Sequence, residues 1–181
     1  MSVRKMVSTA LFAAVLCVLA PLTIPLEPVP LSLATFAVYL MGAVLDWRQA
    51  AAAVCVYILL GAVGAPVFSN FTGGAHKLLG VTGGFIFGYL PCAVITAVLS
   101  RRFGARRWRY PLAMLCGTAA LYLCGTAWFI AAAKSALKAA LMACVVPFLP
   151  GDAVKIILAC ALAPALKKRL EENASKEKTG R

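Results

Sequence analysis

The chain has 181 residues, 62% of them hydrophobic and only 13% charged, with a net charge of +12 and a mean hydropathy of +0.90. A soluble domain is about a quarter charged, so this composition excludes an ordinary globular enzyme or solvent-borne module and indicates an all-α integral membrane protein. The cations sit in short clusters between apolar runs, as membrane topology requires. That placement argues against nucleic acid as a partner, and a nucleic-acid-binding tail remains an alternative for the C-terminal stretch alone.

A spanning helix needs about 20 apolar residues, so a chain of this length with its loops holds about six. The first predicted span covers 6–23. Arg4 and Lys5 ahead of the apolar run 10–20 outline a signal peptide, but Pro21 follows with no small-x-small cleavage site. Ala10 and Ala14 are four apart with Ala13 alongside. This spacing lets another helix approach closely, and it also suits a plain alanine-rich helix. The segment PLEPVP, 25–30, reads as a stiff, extended connector because its prolines fix φ and lack donors. The second span is predicted at 31–45, a polar turn at 46–49, and the third span at 50–65, where Gly64 and Pro66 stop the helix.

The stretch 66–84, PVFSNFTGGAHKLLGVTGG, is the long polar interruption of the chain, with five glycines, the single histidine His76, and Asn70. Irregular backbone near a bilayer persists only where protein buries it or water and ligand meet it. The reading is a loop that lines or lids a cup built by the spans, against the alternative of a flexible outer loop. His76 beside Lys77 reads as solvent-facing rather than as a metal ligand.

The fourth span is predicted at 83–100, with Gly84 and Gly88 as a close-packing pair, followed by a basic loop at 101–109 with five arginines. The fifth span, 111–131, ends in Trp128 and Phe129. Phe129 suits an interfacial belt, whereas Trp128 is left open between belt and ligand wall. Residues 139–149 are apolar but too short to span, so 134–149 reads as a short interfacial helix. The sixth span, 150–166, carries Asp152 and Lys155 near its start, and a charged tail follows and is expected to fray. The expected organisation is one six-helix membrane domain over 1–168 and a cytoplasmic C-terminal tail over 169–181. With the N-terminus cytoplasmic and the loops alternating, 14 of the 18 cations fall inside, which satisfies the positive-inside rule. Both termini are then cytoplasmic, and 25–30, 66–84 and the start of the sixth span share the outer side.

The sharpest chemical signal is PFLPGDAVK, in which Asp152 and Lys155 are three apart. On a helix they share a face, about 4.5 Å apart along the axis. Either charge at a bilayer centre costs about 2.5–3.5 kcal/mol, and such residues face the bundle interior and find partners. Two readings stand: contacts to a ligand, or an acid favouring the helix dipole beside a snorkelling lysine. The seven cysteines show no metal or redox spacing and read as packing residues. No phosphate loop, GxSxG, HExxH or paired carboxylates occur, so uphill movement of a ligand would draw its energy from another chain.

Taken together, PLEPVPLSL, GAVGAPVFSNFTGG, LLGVTGGFIFGY and PFLPGDAVK, in that order within about 10–168, resemble the BioY family, the biotin-specific S components of energy-coupling factor (ECF) transporters. The resemblance implies a six-helix S-component fold in a bacterial inner membrane that captures biotin from outside. It implies a transmembrane coupling protein and two cytoplasmic ATPases as partners, with some biotin members working without the full complex. Biotin is then cargo, with no cofactor, no metal and no catalysis expected. Ala10 and Ala14 match the family's docking face, and 24–30 its outer gate. Asp152 would accept from the ureido N–H groups, Lys155 would donate to the ureido oxygen or the carboxylate, and Asn70 would complete the polar set. Those two polar assignments are exchangeable. Phe71, Val81, Gly83 and Gly84 would pack on the rings, with Trp128 a further wall. Val81 stands where the family carries proline, LGVTGG for LGPTGG, so the loop geometry there is expected to differ slightly. The alternatives are an S component for thiamine or riboflavin, a membrane enzyme using Asp152 and Lys155 as an acid–base pair, or a structural subunit.

Overall fold

The computed structural model describes residues 3–24, 29–102 and 108–179. In order the elements are α1 (Val3–Leu19), β1 (Thr23–Ile24), β2 (Leu31–Ser32), α2 (Ala34–Val44), α3 (Trp47–Ala62), a 3-10 turn (Ser69–Phe71), α4 (Ala75–Leu79), α5 (Gly83–Arg102), α6 (Arg109–Ala133), α7 (Leu137–Cys144) and α8 (Leu149–Thr179).

The bundle is organised around α2. Every residue of this helix except Phe36 is buried, because it is apolar on all sides and so belongs inside the bundle. Helices α1, α3, α5 and α8 pack around it. At 11 residues it is only about 16 Å long. The predicted span began at residue 31, but Leu31 and Ser32 form β2 instead, paired antiparallel with β1 as Thr23↔Ser32 and Ile24↔Leu31. The two paired strands therefore flank the proline-rich connector in the chain, and residues 25–28 of that connector lie outside the described residues.

The end of the bundle that the charge pattern places in the cytoplasm is tied by Asp46. It heads α3 in a capping box with Gln49 and pairs with both Lys5 of α1 and Arg101 of α5. Gln49 Nε2 also donates to the Lys5 carbonyl at 3.1 Å, and Arg4 donates to the Leu170 carbonyl of α8. The predicted turn at 46–49 is thus a four-helix junction.

Helices α5 and α6 form the most extensive pair, and glycines set their approach. A Cβ on Gly84 would overlap Trp128, one on Gly125 would overlap Phe85, and one on Gly88 would lie 2.8 Å from Leu121 Cδ1. The expected close-packing pair Gly84 and Gly88 therefore faces α6. Helices α5, α6 and residues 149–170 of α8 are long and apolar enough to cross a bilayer, and α2 and α3 are shorter apolar helices. The short helix expected within 134–149 is α7. Helix α8 continues to Thr179, well past the predicted end at 166.

A Cβ on Gly117 would collide with Thr96 and lie 2.9 Å from the Cys92 carbonyl oxygen, so it cannot be accommodated without parting α5 from α6. Gly117→Ala is expected to cost about 1–3 kcal/mol, the usual range for overpacking. A lowered thermal midpoint in detergent, with no change for the exposed neighbour Cys116→Ala, is the expected result.

Candidate ligand-binding site

The start of α8, the β2–α2 junction, the inner faces of α5 and α6, and the loop from Phe68 to Thr82 enclose a cavity of about 510 Å³. That lies within the range of small-molecule sites, roughly 300–1,000 Å³. Apolar side chains form its walls, among them Phe68, Phe85, Ile86, Leu121 and Phe148. Phe68 is held edge-on against Tyr57 at 5.5 Å between ring centroids, and its ring occupies the space that a side chain at Gly61 would fill.

The floor is polar. Asp152, in the first turn of α8, and Lys155 are only 3% and 6% exposed. The i, i+3 spacing read from the sequence brings Lys155 Nζ to 3.0 Å from Asp152 Oδ1. Asp152 Oδ1 also accepts from Thr35 Oγ1 at 3.0 Å, and Oδ2 accepts from the Tyr122 hydroxyl at 2.7 Å. Lys155 donates further to the Ser32 carbonyl at 2.6 Å and to Thr35 Oγ1 at 2.9 Å. An ammonium has three donors, and all three are engaged. The Ser32 carbonyl is available because the chain is extended there, before α2 begins at Ala34. Ser32 Oγ fixes the junction by donating to the Ala20 carbonyl at 2.8 Å and accepting from Ala34 N at 2.9 Å.

Of the residues predicted from sequence, Asp152, Lys155, Asn70 and Val81 line this one cavity. Asn70 also ties the loop down: its Oδ1 accepts from Thr23 Oγ1 and its N–H donates to the Pro21 carbonyl at 3.3 Å. Phe71 does not line the cavity. Asn70 and Phe71 both have positive φ, 58° and 54°, and the turn they make leaves Phe71 65% exposed. Gly83 and Gly84 are buried in the first turn of α5, packed on the Leu78 carbonyl and on Trp128 rather than on the cavity. Trp128 is not on the wall either. Its Nε1 donates to the Gly80 carbonyl at 3.0 Å and its ring lies 5.8 Å from that of Phe87, so it anchors the loop. Ala10 and Ala14 are exposed on α1 while Ala13 faces inward. Of the predicted gate 24–30, Val29 and Pro30 line the cavity and 25–28 lie outside the described residues.

Sequence reasoning missed Thr35, Tyr122 and the Ser32 carbonyl. One signal was available: Thr35 with Tyr39, and Thr118 with Tyr122, place hydroxyls one helical turn apart inside apolar runs. In the structure Tyr39 and Thr118 meet at 2.6 Å, directly next to the floor in helical register with Thr35 and Tyr122.

Among known proteins, the model of the BioY family matches residues 1–172. The chain belongs to the BioY family. The biotin transporter BioY of Thermotoga maritima is 35% identical over 165 residues, 91% of this chain and 96% of that one. The probable biotin transporter BioY of Pyrococcus horikoshii is 36% identical over 92% of this chain and 98% of its own. A crystal structure of the S-component for biotin from an ECF-type ABC transporter superposes with a TM-score of 0.85 over 92% of each chain, at 24% identity. This BioY family member therefore has the S-component fold.

Removing one partner of a buried ion pair strands the other charge, which typically costs about 3–5 kcal/mol, whereas replacing both is often near neutral. Asp152→Ala alone and Lys155→Met alone should each lower the thermal midpoint of the purified protein. The double variant should recover much of that loss.

Proposed function

We propose that this protein is the biotin-capturing S component of an ECF-type transporter in a bacterial inner membrane. It takes biotin from the outer side and works with a transmembrane coupling protein and two cytoplasmic ATPases. In this reading α1, α2 with its preceding strand, α3, α5, α6 and α8 are the six spans, with both termini cytoplasmic. The exposed face of α1 bearing Ala10 and Ala14 meets the coupling protein. The protein carries its ligand without chemical change.

The observation that carries the reading is a buried carboxylate with an unfilled acceptor position at the end of an apolar cavity. Among the described residues Asp152 Oδ2 takes one donor, and a carboxylate oxygen has room for a second. The ureido ring of biotin supplies N–H donors on an otherwise apolar bicycle, which suits the aromatic walls. The names of the relatives from Thermotoga maritima and Pyrococcus horikoshii support the same ligand.

Calorimetric titration of the folded, detergent-purified protein is the test, with thiamine and riboflavin as controls. Stoichiometric binding of biotin alone is expected, and Asp152→Asn should weaken it more than about tenfold, since hydrogen bonds to a charged group contribute about 1.5–3 kcal/mol. Selective binding of thiamine or riboflavin would assign a different vitamin, and binding of none would contradict the reading. For the α1 face, Ala10→Leu or Ala14→Leu should leave biotin binding intact and impair uptake by cells, with unchanged uptake arguing against docking there.

A further inference from the structure

Helices α5 and α6 run antiparallel in a register that their contacts fix. A Cβ on Gly88 would meet Leu121, and one on Gly117 would meet the Cys92 carbonyl oxygen. Thr96 Oγ1 donates to the Ala113 carbonyl at 3.4 Å. Continued, that register brings Arg101 and Arg102, at the end of α5, level with Trp108, just ahead of α6. This layer lies about 26 Å from the level of Gly84 at 1.5 Å per residue, close to the thickness of a hydrocarbon core, about 30 Å. It therefore sits at a headgroup boundary, at the end of the bundle away from the cavity. The Arg101–Asp46 ion pair adds the start of α3 to the same layer, with Trp47 and Arg48 next in the chain.

Four side chains of this layer are exposed: Trp47, Trp108, Arg48 and Arg102. Arg48 stacks over the Trp47 ring at 5.1 Å. Asp46 is already engaged on both oxygens, by Lys5 and by Arg101. Among the described residues no carboxylate lies within ion-pair distance of Arg48 or Arg102. Arg109 is turned onto its neighbour Tyr110 and stands apart from them. Topology requires only that cations collect on this side. Here two guanidinium groups, whose planar forks match phosphate oxygens, stand in one layer with two exposed indoles, the side chains that settle at headgroup level.

We propose that Trp47, Arg48, Arg102 and Trp108 form a binding surface for anionic phospholipid, the arginines holding the headgroup phosphate and the indoles packing at the glycerol level. An inorganic phosphate would make no use of the indoles, and the depth of the layer matches a headgroup. The surface is separate from the cavity and does not rest on the biotin reading. It couples α3, α5 and α6 to the charge of the leaflet they end in.

The test titrates the purified protein in neutral detergent with short-chain phosphatidylglycerol, phosphatidylcholine or inorganic phosphate, reading bound lipid by native mass spectrometry and the thermal midpoint in parallel. Wild type should half-saturate with phosphatidylglycerol at about tenfold lower concentration than with phosphatidylcholine, as expected for two cations at an anionic surface. The double variant Arg48→Gln/Arg102→Gln should lose that preference while keeping its lipid-free midpoint, and Arg48→Lys/Arg102→Lys should regain part of it. Lys134→Gln/Lys138→Gln, at the other end of the bundle, should leave the preference unchanged. Equal binding of the two lipids by wild type overturns the proposal, as does a preference that survives in the double glutamine variant. Stabilisation by inorganic phosphate equal to that by phosphatidylglycerol overturns it in favour of a simple anion site. Impaired uptake by the double glutamine variant with no lipid preference in wild type overturns it in favour of a protein partner on this surface.

Discussion

A salt bridge buried beneath a cavity is the constraint on which the rest of the structure turns. Taking Asp152 and Lys155 out of water costs several kcal/mol per ion, and their mutual attraction offsets this only when the remaining donors and acceptors are also met. The protein meets them with groups from three other places in the chain: Ser32 in β2, Thr35 in α2 and Tyr122 in α6. Each of those elements is then fixed relative to α8. An apolar floor would have been simpler to build. The charged one leaves an ordered carboxylate acceptor facing an apolar chamber, which is the arrangement a small-molecule site needs for orientation and specificity.

The connections from this floor reach both ends of the bundle. Ser32 holds Lys155 through its carbonyl and the end of α1 through its hydroxyl. Helix α1 is held in turn at its other end by the Lys5–Asp46 pair and by Arg4 on the Leu170 carbonyl. The loop over the cavity is fastened by Asn70 to the β1 side and by Trp128 to α6. A short helix, α2, can occupy the middle because its neighbours screen it from lipid, and small residues such as Gly42, packed on Thr96, bring those neighbours close.

Much of this was legible in the sequence, and what was not has physical reasons. Asp152 and Lys155 were readable because their relation is local: a spacing of three on a helix fixes the geometry whatever surrounds it. Their partners Thr35 and Tyr122 are 117 and 30 residues away from Asp152, and hydroxyls in apolar helices serve packing as often as binding. The last helix was placed correctly at its start, but charge alone suggested a frayed tail where the helix continues to Thr179. Phe71 lies off the cavity wall because two consecutive left-handed residues turn it outward, and sequence does not reveal the sign of φ in such a loop. In the structure Gly83 packs on the Leu78 carbonyl, Gly84 sets the approach of α5 to α6, and Trp128 anchors Gly80. The length of α2 was hidden because a helix buried all round carries no periodicity to mark its ends.

The most direct measurement is a crystal structure of the protein with biotin bound. The account predicts a ureido nitrogen within hydrogen-bond distance of Asp152 Oδ2, about 2.8–3.0 Å, with Lys155 still donating to Ser32 and Thr35. Biotin bound in the cavity with Lys155 released from those partners to meet the ligand, or with no ligand nitrogen near Asp152, would contradict it.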